Sequence, residues 1–378
     1  MRWHWLLIAG VLASPLALGQ TAAEGSANTS WSSTTQQSDA QGATNPTRTK
    51  TTHSEINGRI VDRTSIERLG PDGQYVPYSE IERESVKVNE TTTRTVERTF
   101  GRGADGQRIL VQERQAESRE LTGGAKKSVV TTSNPDADGQ LQVVQREETN
   151  SNQSGLGVQR TSTTIYSQDG SGSLAPTVHI EMQSRQTDKT TTEYKKSTSL
   201  ADGAGNWTLS EIREGTTRAD AGGVESKEER VLKPGLDGKL ELVERTVSKG
   251  TKSADGSDRE TTETYSKDVP GVVGNNGLSL VRRDSKVAFK NSAGKQTTTR
   301  TVEGANPGNP ESGLRVTQQA IDIVRPGANG VAQTQSTINA PDVNGDNHTV
   351  WVDTGKMDNV PTVTVDTSNK KSETKKQK

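Results

Sequence analysis

Glycine recurs every 33 residues through the middle of this 378-residue chain, at Gly73, Gly106, Gly139, Gly172, Gly205 and Gly238. A fixed period of that length marks a chain built from one supersecondary unit that cannot bury its apolar side alone and is stabilised by stacking on its neighbours. Four of the six glycines follow aspartate, in Asp72-Gly73, Asp105-Gly106, Asp138-Gly139 and Asp237-Gly238. Asp-Gly is a dipeptide of tight β-hairpin turns, because both positions tolerate positive φ. The unit therefore reads as strand, turn, strand.

The residues after each glycine agree. Two places on come Tyr75, Arg108, Leu141, Leu174, Trp207 and Leu240; four places on come Pro77, Leu110, Val143, Pro176, Leu209 and Leu242. In an extended strand those offsets share a face, so each unit carries a short apolar patch beside its turn. Arg114, Arg146, Arg213 and Arg245 recur seven or eight places past the glycine on the same strand. Beyond Gly238 the spacing loosens, with Asn276 and Ser312 in the turn position. The heptapeptide Thr91–Glu97 returns unchanged as Thr297–Glu303, in register with that looser spacing.

Composition decides what the units can build. Only 28% of residues are hydrophobic and 3% aromatic, against 25% charged. Facing sheets need bulky interior residues, and compact multi-domain enzymes carry far more apolar residues than this. The fold class expected is all-β: an extended antiparallel meander of repeated hairpins, some 16 strands, in a thin or single-layer sheet with disordered termini and open outer edges. Cross-strand charge and threonine pairs hold such a sheet without a deep interior. In composition and plan it resembles the solvent-exposed single-layer sheet of spirochaete outer-surface lipoproteins, a likeness of architecture that implies no function.

Five segments follow. Residues 1–19 read as a signal peptide, with Arg2, an apolar stretch from Leu6 to Leu18, and a small-residue site that places cleavage after Gly19. Residues 20–55 are a Ser/Thr/Gln-rich tether expected to be disordered. Regular units occupy 56–257, their irregular continuation 258–365, and a basic disordered tail 366–378. The chain is expected to be secreted, periplasmic or on the cell surface. The absence of cysteine excludes disulfides and thiol chemistry and tilts the reading toward a bacterial envelope.

Chemistry is sparse. No nucleophile elbow, phosphate loop or zinc-binding helix appears, no catalytic residue or cofactor is expected, and the chain reads as no enzyme. His179 falls where other units hold Glu80, Glu113, Arg146, Ile212 and Arg245, a spread with no shared chemical task. No metal site is expected either; the nearest approach is Asp342, Asn344, Asp346 and Asp353 at calcium-loop spacing, which an Asp/Asn-rich turn explains as well. A net charge of −1 gives no reason to expect nucleic acid. The function expected is an exported, non-enzymatic structural or surface-interaction protein, an elongated β-repeat spacer or scaffold. The alternative is a module binding cell-surface polysaccharide or protein through a sheet face or edge.

Overall fold

The computed structural model describes residues 30–37 and 47–358, apart from 57, 71, 155–156, 203, 220–223, 254–255, 270–276, 307–308, 310–311, 328–331 and 343–345. The expected signal peptide and basic tail lie outside these residues. Within them are twenty strands and one short 3-10 turn, Thr122–Gly124. The strands are β1 (Ser30–Gln37), β2 (Thr47–Ile56), β3 (Arg59–Leu69), β4 (Tyr75–Lys87), β5 (Thr92–Arg102), β6 (Arg108–Glu120) and β7 (Lys126–Pro135). There follow β8 (Leu141–Ser154), β9 (Val158–Gln168), β10 (Leu174–Gln186), β11 (Thr191–Ala201), β12 (Trp207–Ala219), β13 (Glu225–Pro234) and β14 (Leu240–Lys252). The series ends with β15 (Asp258–Ser266), β16 (Ser279–Lys290), β17 (Gln296–Ala305), β18 (Leu314–Pro326), β19 (Ala332–Pro341) and β20 (Asn347–Asp358).

Nineteen strands, β2 to β20, run as a single antiparallel meander in which each strand pairs with the next in sequence. The sheet is one layer thick. Ile212, Val231 and Val302 are the only apolar side chains buried among the described residues, and no side chain there falls below 2% exposure. Residues of 28% apolar content leave little to bury, and the hydrogen-bonded ladder takes the place of a core.

Three expectations need correcting. The tether of residues 20–55 contains β1 and most of β2, because alternating hydroxyl residues such as Thr47, Thr49 and Thr51 extend readily beside a strand that is already formed. The meander does not close directly on itself, yet its outer edges are not open: β1 lies between its ends, pairing with β2 through Thr34 opposite Lys50 and with β20 through Thr34 opposite Lys356. Unpaired edge groups invite association, and one strand covers Thr47–Ser54 of the β2 edge and Asp353–Asp358 of the β20 edge. The turns also differ from the two-residue type. Gly73, Gly106, Gly139, Gly172, Gly205 and Gly238 have φ between 75° and 85°, and each N–H donates to the carbonyl three residues earlier, as from Gly73 to Gly70 at 3.0 Å. Glycine thus ends a four-residue turn in the left-handed region, the three-residue hairpin loop with a glycine bulge.

A second bulge recurs inside the strands. Every even strand from β4 to β20 skips one residue against its predecessor, five places past the turn position: Tyr78, Val111, Val144, Thr177, Ser210 and Val243, then Val281, Thr317 and Val350. The stagger between hairpins is the same each time. Glu80 faces Phe100, which faces Leu110; Arg146 faces Tyr166, which faces Pro176; Arg245 faces Tyr265, which faces Leu280. Regular bulges raise the local twist, and uniform stagger tilts strands and curls a sheet, so the two ends come within reach of β1.

Gly139 and Gly170 separate the roles of glycine here. Both have open space where a Cβ would sit, but only Gly139 has positive φ (78°). Gly139→Ala is expected to lower stability by about 1–2 kcal/mol, the cost of forcing a side chain into the left-handed region, whereas Gly170→Ala leaves it unchanged or higher by under about 1 kcal/mol. Urea unfolding followed by circular dichroism measures both.

Candidate interaction surface

The register sorts side chains onto two faces. On the first lie the residues two and four places past each turn and, because the bulge shifts the phase, those seven, nine and eleven places past it. The sequence expectation grouped four recurrent arginines together; strand alternation separates those seven places past the glycine from those eight places past it. Arg146 and Arg245 share the first face with Tyr166 and Tyr265, while Arg114 and Arg213 stand on the second, opposite Thr132 and Lys196.

The first face is a lattice of ion pairs. Strand β4 presents Glu80, Glu82 and Glu84, and its neighbours answer with arginine: Arg59 to Glu84 at 2.8 Å, Arg63 to Glu82 at 3.6 Å, and Arg108 to Glu82 at 2.8 Å and to Glu80 at 3.0 Å. Arg102 also bonds Glu80, and the Arg108 guanidinium lies 3.5 Å over the Phe100 ring. Farther round, Arg283 bridges Glu263 at 2.9 Å and Glu303 at 3.5 Å. Most of these groups are partly wet, so each pair contributes under about 1 kcal/mol. Glu67 and Glu113 differ, being 7% and 6% exposed. Arg48 and Lys50 hold Glu67, and Arg98 donates to Glu113 at 2.6 Å, with Gln115 on its other oxygen at 2.7 Å.

The second face carries a row of shared hydroxyl bonds across neighbouring strands: Thr51 with Thr64 at 3.2 Å, Ser85 with Thr95 at 3.0 Å, Thr149 with Thr163 at 2.9 Å and Ser248 with Thr262 at 2.8 Å. Its densest point is Tyr194. The ring lies across Gly215, where a Cβ would fall 2.7 Å from it and 2.6 Å from the Glu228 carbonyl, and the hydroxyl donates to Glu229 on the strand beyond. Arg213 reaches the same carboxylate at 3.2 Å and Lys227 at 3.5 Å. Burial, and then the bond to Glu229, push the Tyr194 hydroxyl well above its ordinary range. Burial also acts to raise Glu229, but Tyr194, Lys227 and Arg213 together hold it below the usual carboxylate value.

The expected sites fall as follows. His179 stacks obliquely on Trp207 at 5.4 Å and shares a hydrogen bond with Thr164 at 3.1 Å. Trp207 and Tyr75 stand apart, and Tyr75 lies under the Arg48 guanidinium at 4.3 Å. Of the calcium-spaced residues, Asn344 lies outside the described residues. Asp342 accepts from the Asp346 N–H at 3.0 Å and from His348 at 3.2 Å. Asp353 sits within β20 opposite Ser336, seven residues past Asp346 and so roughly 20 Å along the strand, too far to share an ion. Among the described residues no three His, Asp or Glu side chains converge as metal ligands. The hydroxyl row and the Tyr194–Gly215–Glu229 contact escaped sequence reading, since both depend on register; Gly215 inside a strand was their one legible sign.

Depressions on the sheet are open and charged, such as one of about 500 Å³ on the first face lined by Arg185, Glu193, Lys195, Glu214, Glu228 and Arg230.

No protein-family model matches the sequence, and no curated protein matches it. Among solved structures the chain is similar to the siderophore receptor PirA from Acinetobacter baumannii, at 9% identity and a TM-score of 0.43, over 88% of this chain and 81% of that one. It is also similar to the alcaligin outer-membrane receptor FauA from Bordetella pertussis, at 8% identity and a TM-score of 0.36, over 88% and 76%. Likeness at that level says nothing of what this chain binds.

Removing Arg98 leaves the enclosed Glu113 charge without its guanidinium, so Arg98→Ala is expected to cost about 1–3 kcal/mol. Arg94→Ala, whose pair with Glu117 is half exposed, costs under about 1 kcal/mol; the two denaturation midpoints decide. The turns titrate as well. Asp188 is held down to about 2, chiefly by the Thr190 N–H. Asp136 is lowered by the Gln140 N–H, Asp169 by the Ser171 hydroxyl and Asp202 by the Asn206 amide. Depressed carboxylates stabilise the fold above their ordinary value and lose that contribution as pH falls through the depressed one. Melting temperature is expected to hold steady from neutrality to about pH 4 and to drop from there toward pH 2, less steeply when Asp136, Asp169 and Asp202 are changed to Asn.

Proposed function

We propose that the chain is an exported, non-enzymatic scaffold of the cell envelope or surface, immersed in water on both faces and acting by its shape and polar surface. The observation that carries this is charge at mid-strand on both faces: Glu82, Arg98 and Glu113 on the first, Arg83, Glu97 and Arg114 on the second. A sheet set in a bilayer needs one continuous apolar face, and each Arg or Lys at the midplane costs about 2–4 kcal/mol. Neither face meets that requirement. The leader-like sequence of residues 1–19 supports export. A passive role is supported by the surroundings of the carboxylates: hydrogen bonds and arginines hold Glu228, Glu263 and Asp284 below the usual carboxylate range, the opposite of what a general acid needs. Export would be seen as a mature chain beginning at Gln20 in the extracytoplasmic fraction.

A polysaccharide- or protein-binding face is the second reading, favoured by exposed Trp207 beside His179. Retention on cell-wall polysaccharide that disappears in Trp207→Ala would put it first.

The absence of native cysteine makes the immersion test direct. Single cysteines at Glu117 and Ser118, adjacent residues on opposite faces, are expected to react with a charged maleimide at rates within about threefold of each other, in buffer and with phospholipid vesicles present. Protection of one position by vesicles would end the water-immersed reading.

A further inference from the structure

The two ends of the sheet carry opposite charge. At the end formed by the glycine turns, the connections expose Asp72, Asp105, Asp136, Asp138, Asp169 and Asp202; of the bases there, Lys239 and Lys267 are engaged by acids, at 3.2 Å by Asp237 and 2.8 Å by Glu241, Arg108 by Glu80 and Glu82, while Arg68 lies over Tyr78 and Lys233 is exposed opposite Glu241. At the opposite end the strands finish in exposed Lys87, Arg119, Lys127, Arg185, Lys252 and Lys290. Acids there are fewer. Glu120 is taken by Lys126 at 3.0 Å, and Glu90, Asp188, Glu225 and Asp258 are exposed. Each end also exposes large apolar groups: Val76, Ile109, Trp207 and Leu240 at the acidic end, Ile56, Val88, Leu121 and Phe289 at the basic one.

We propose that copies of this chain associate end to end, the acidic turn end of one seated on the basic end of the next. Complementary charge orients the encounter and the apolar groups at both ends lose water in it. The partner is a second copy because both complementary surfaces belong to the same chain, and a contact of this head-to-tail kind propagates into filaments. The contact is made by the ends and not by the strand edges, where β1 already pairs with Thr47–Ser54 of β2 and Asp353–Asp358 of β20. Purified chain in solution reports the association whether or not the chain is exported, so this proposal and the envelope reading fail separately.

The test is sedimentation velocity of the full chain and two variants. Unaltered protein is expected to form concentration-dependent oligomers whose apparent dissociation constant rises at least about tenfold between about 0.01 and 1 M salt, over which the screening length falls from about 30 to about 3 Å. A first variant changes Asp72, Asp105, Asp138 and Asp202 to Asn, which keeps the turn acceptors and removes the charge; a second changes Lys87, Lys127, Lys252 and Lys290 to Glu. Each alone is expected to stay monomeric, and their mixture to give one-to-one pairs and nothing longer, since each retains one competent end. Unaltered protein that stays monomeric at low salt, a variant that assembles as the parent does, or a mixture that stays monomeric would overturn the proposal. Should a variant fail to fold, the salt dependence of the unaltered chain decides alone: oligomers indifferent to salt refute it.

Discussion

The structure depends on pairing between strands adjacent in sequence. Each strand is fixed by hydrogen bonds to the one before and the one after, and side chains add only short-range terms across those same ladders: arginine with glutamate or aspartate on both faces, and a row of hydroxyl pairs on the second. With three apolar residues buried among the described ones, hydrophobic burial cannot hold distant parts together. Stability of this kind is a sum over neighbours. It explains why a chain with 28% hydrophobic residues forms a long sheet instead of remaining unfolded.

Two local devices convert that ladder into a shape. Glycine in the left-handed region closes each turn, and one skipped residue per even strand resets the facing of everything beyond it. Without the bulge, Glu80 and Tyr75 would stand on opposite faces; with it, the apolar patch beside the turn and the ion-pair lattice share one. Repetition of one stagger curls the sheet until β1 can pair with β2 on one side and β20 on the other. Much of the meander's edge is thereby paired, and the two ends are where charge and exposed apolar groups collect.

Much of the architecture was legible because it is written at one period. The turn glycines, the apolar offsets at Leu141 and Val143, and the single antiparallel layer follow from spacing and from the shortage of aromatic residues. Register was not legible. A bulge is one extra residue with no obligatory identity, and Tyr78, Val111, Ser210 and Thr317 have little in common, so Leu141 before it and Arg146 beyond it could not be assigned to one face. The strands β1 and β2 were missed because Ser, Thr and Gln suit a tether and a neighbour-supported strand equally well. The calcium spacing of Asp342, Asn344, Asp346 and Asp353 presumed a compact loop, and an extended β20 carries Asp353 away from it.

Excision of a single unit tests the central claim most directly. Removing residues 107–139 joins Gly106 to Gln140, so that one turn glycine replaces another and one pair of strands is lost. If neighbours alone hold the sheet, the shortened chain keeps its β-sheet circular dichroism and resistance to proteolysis, with a cooperative unfolding transition close to that of the full chain. A shortened chain that is unfolded, aggregated or readily digested would show that distant parts depend on one another, and would contradict the account.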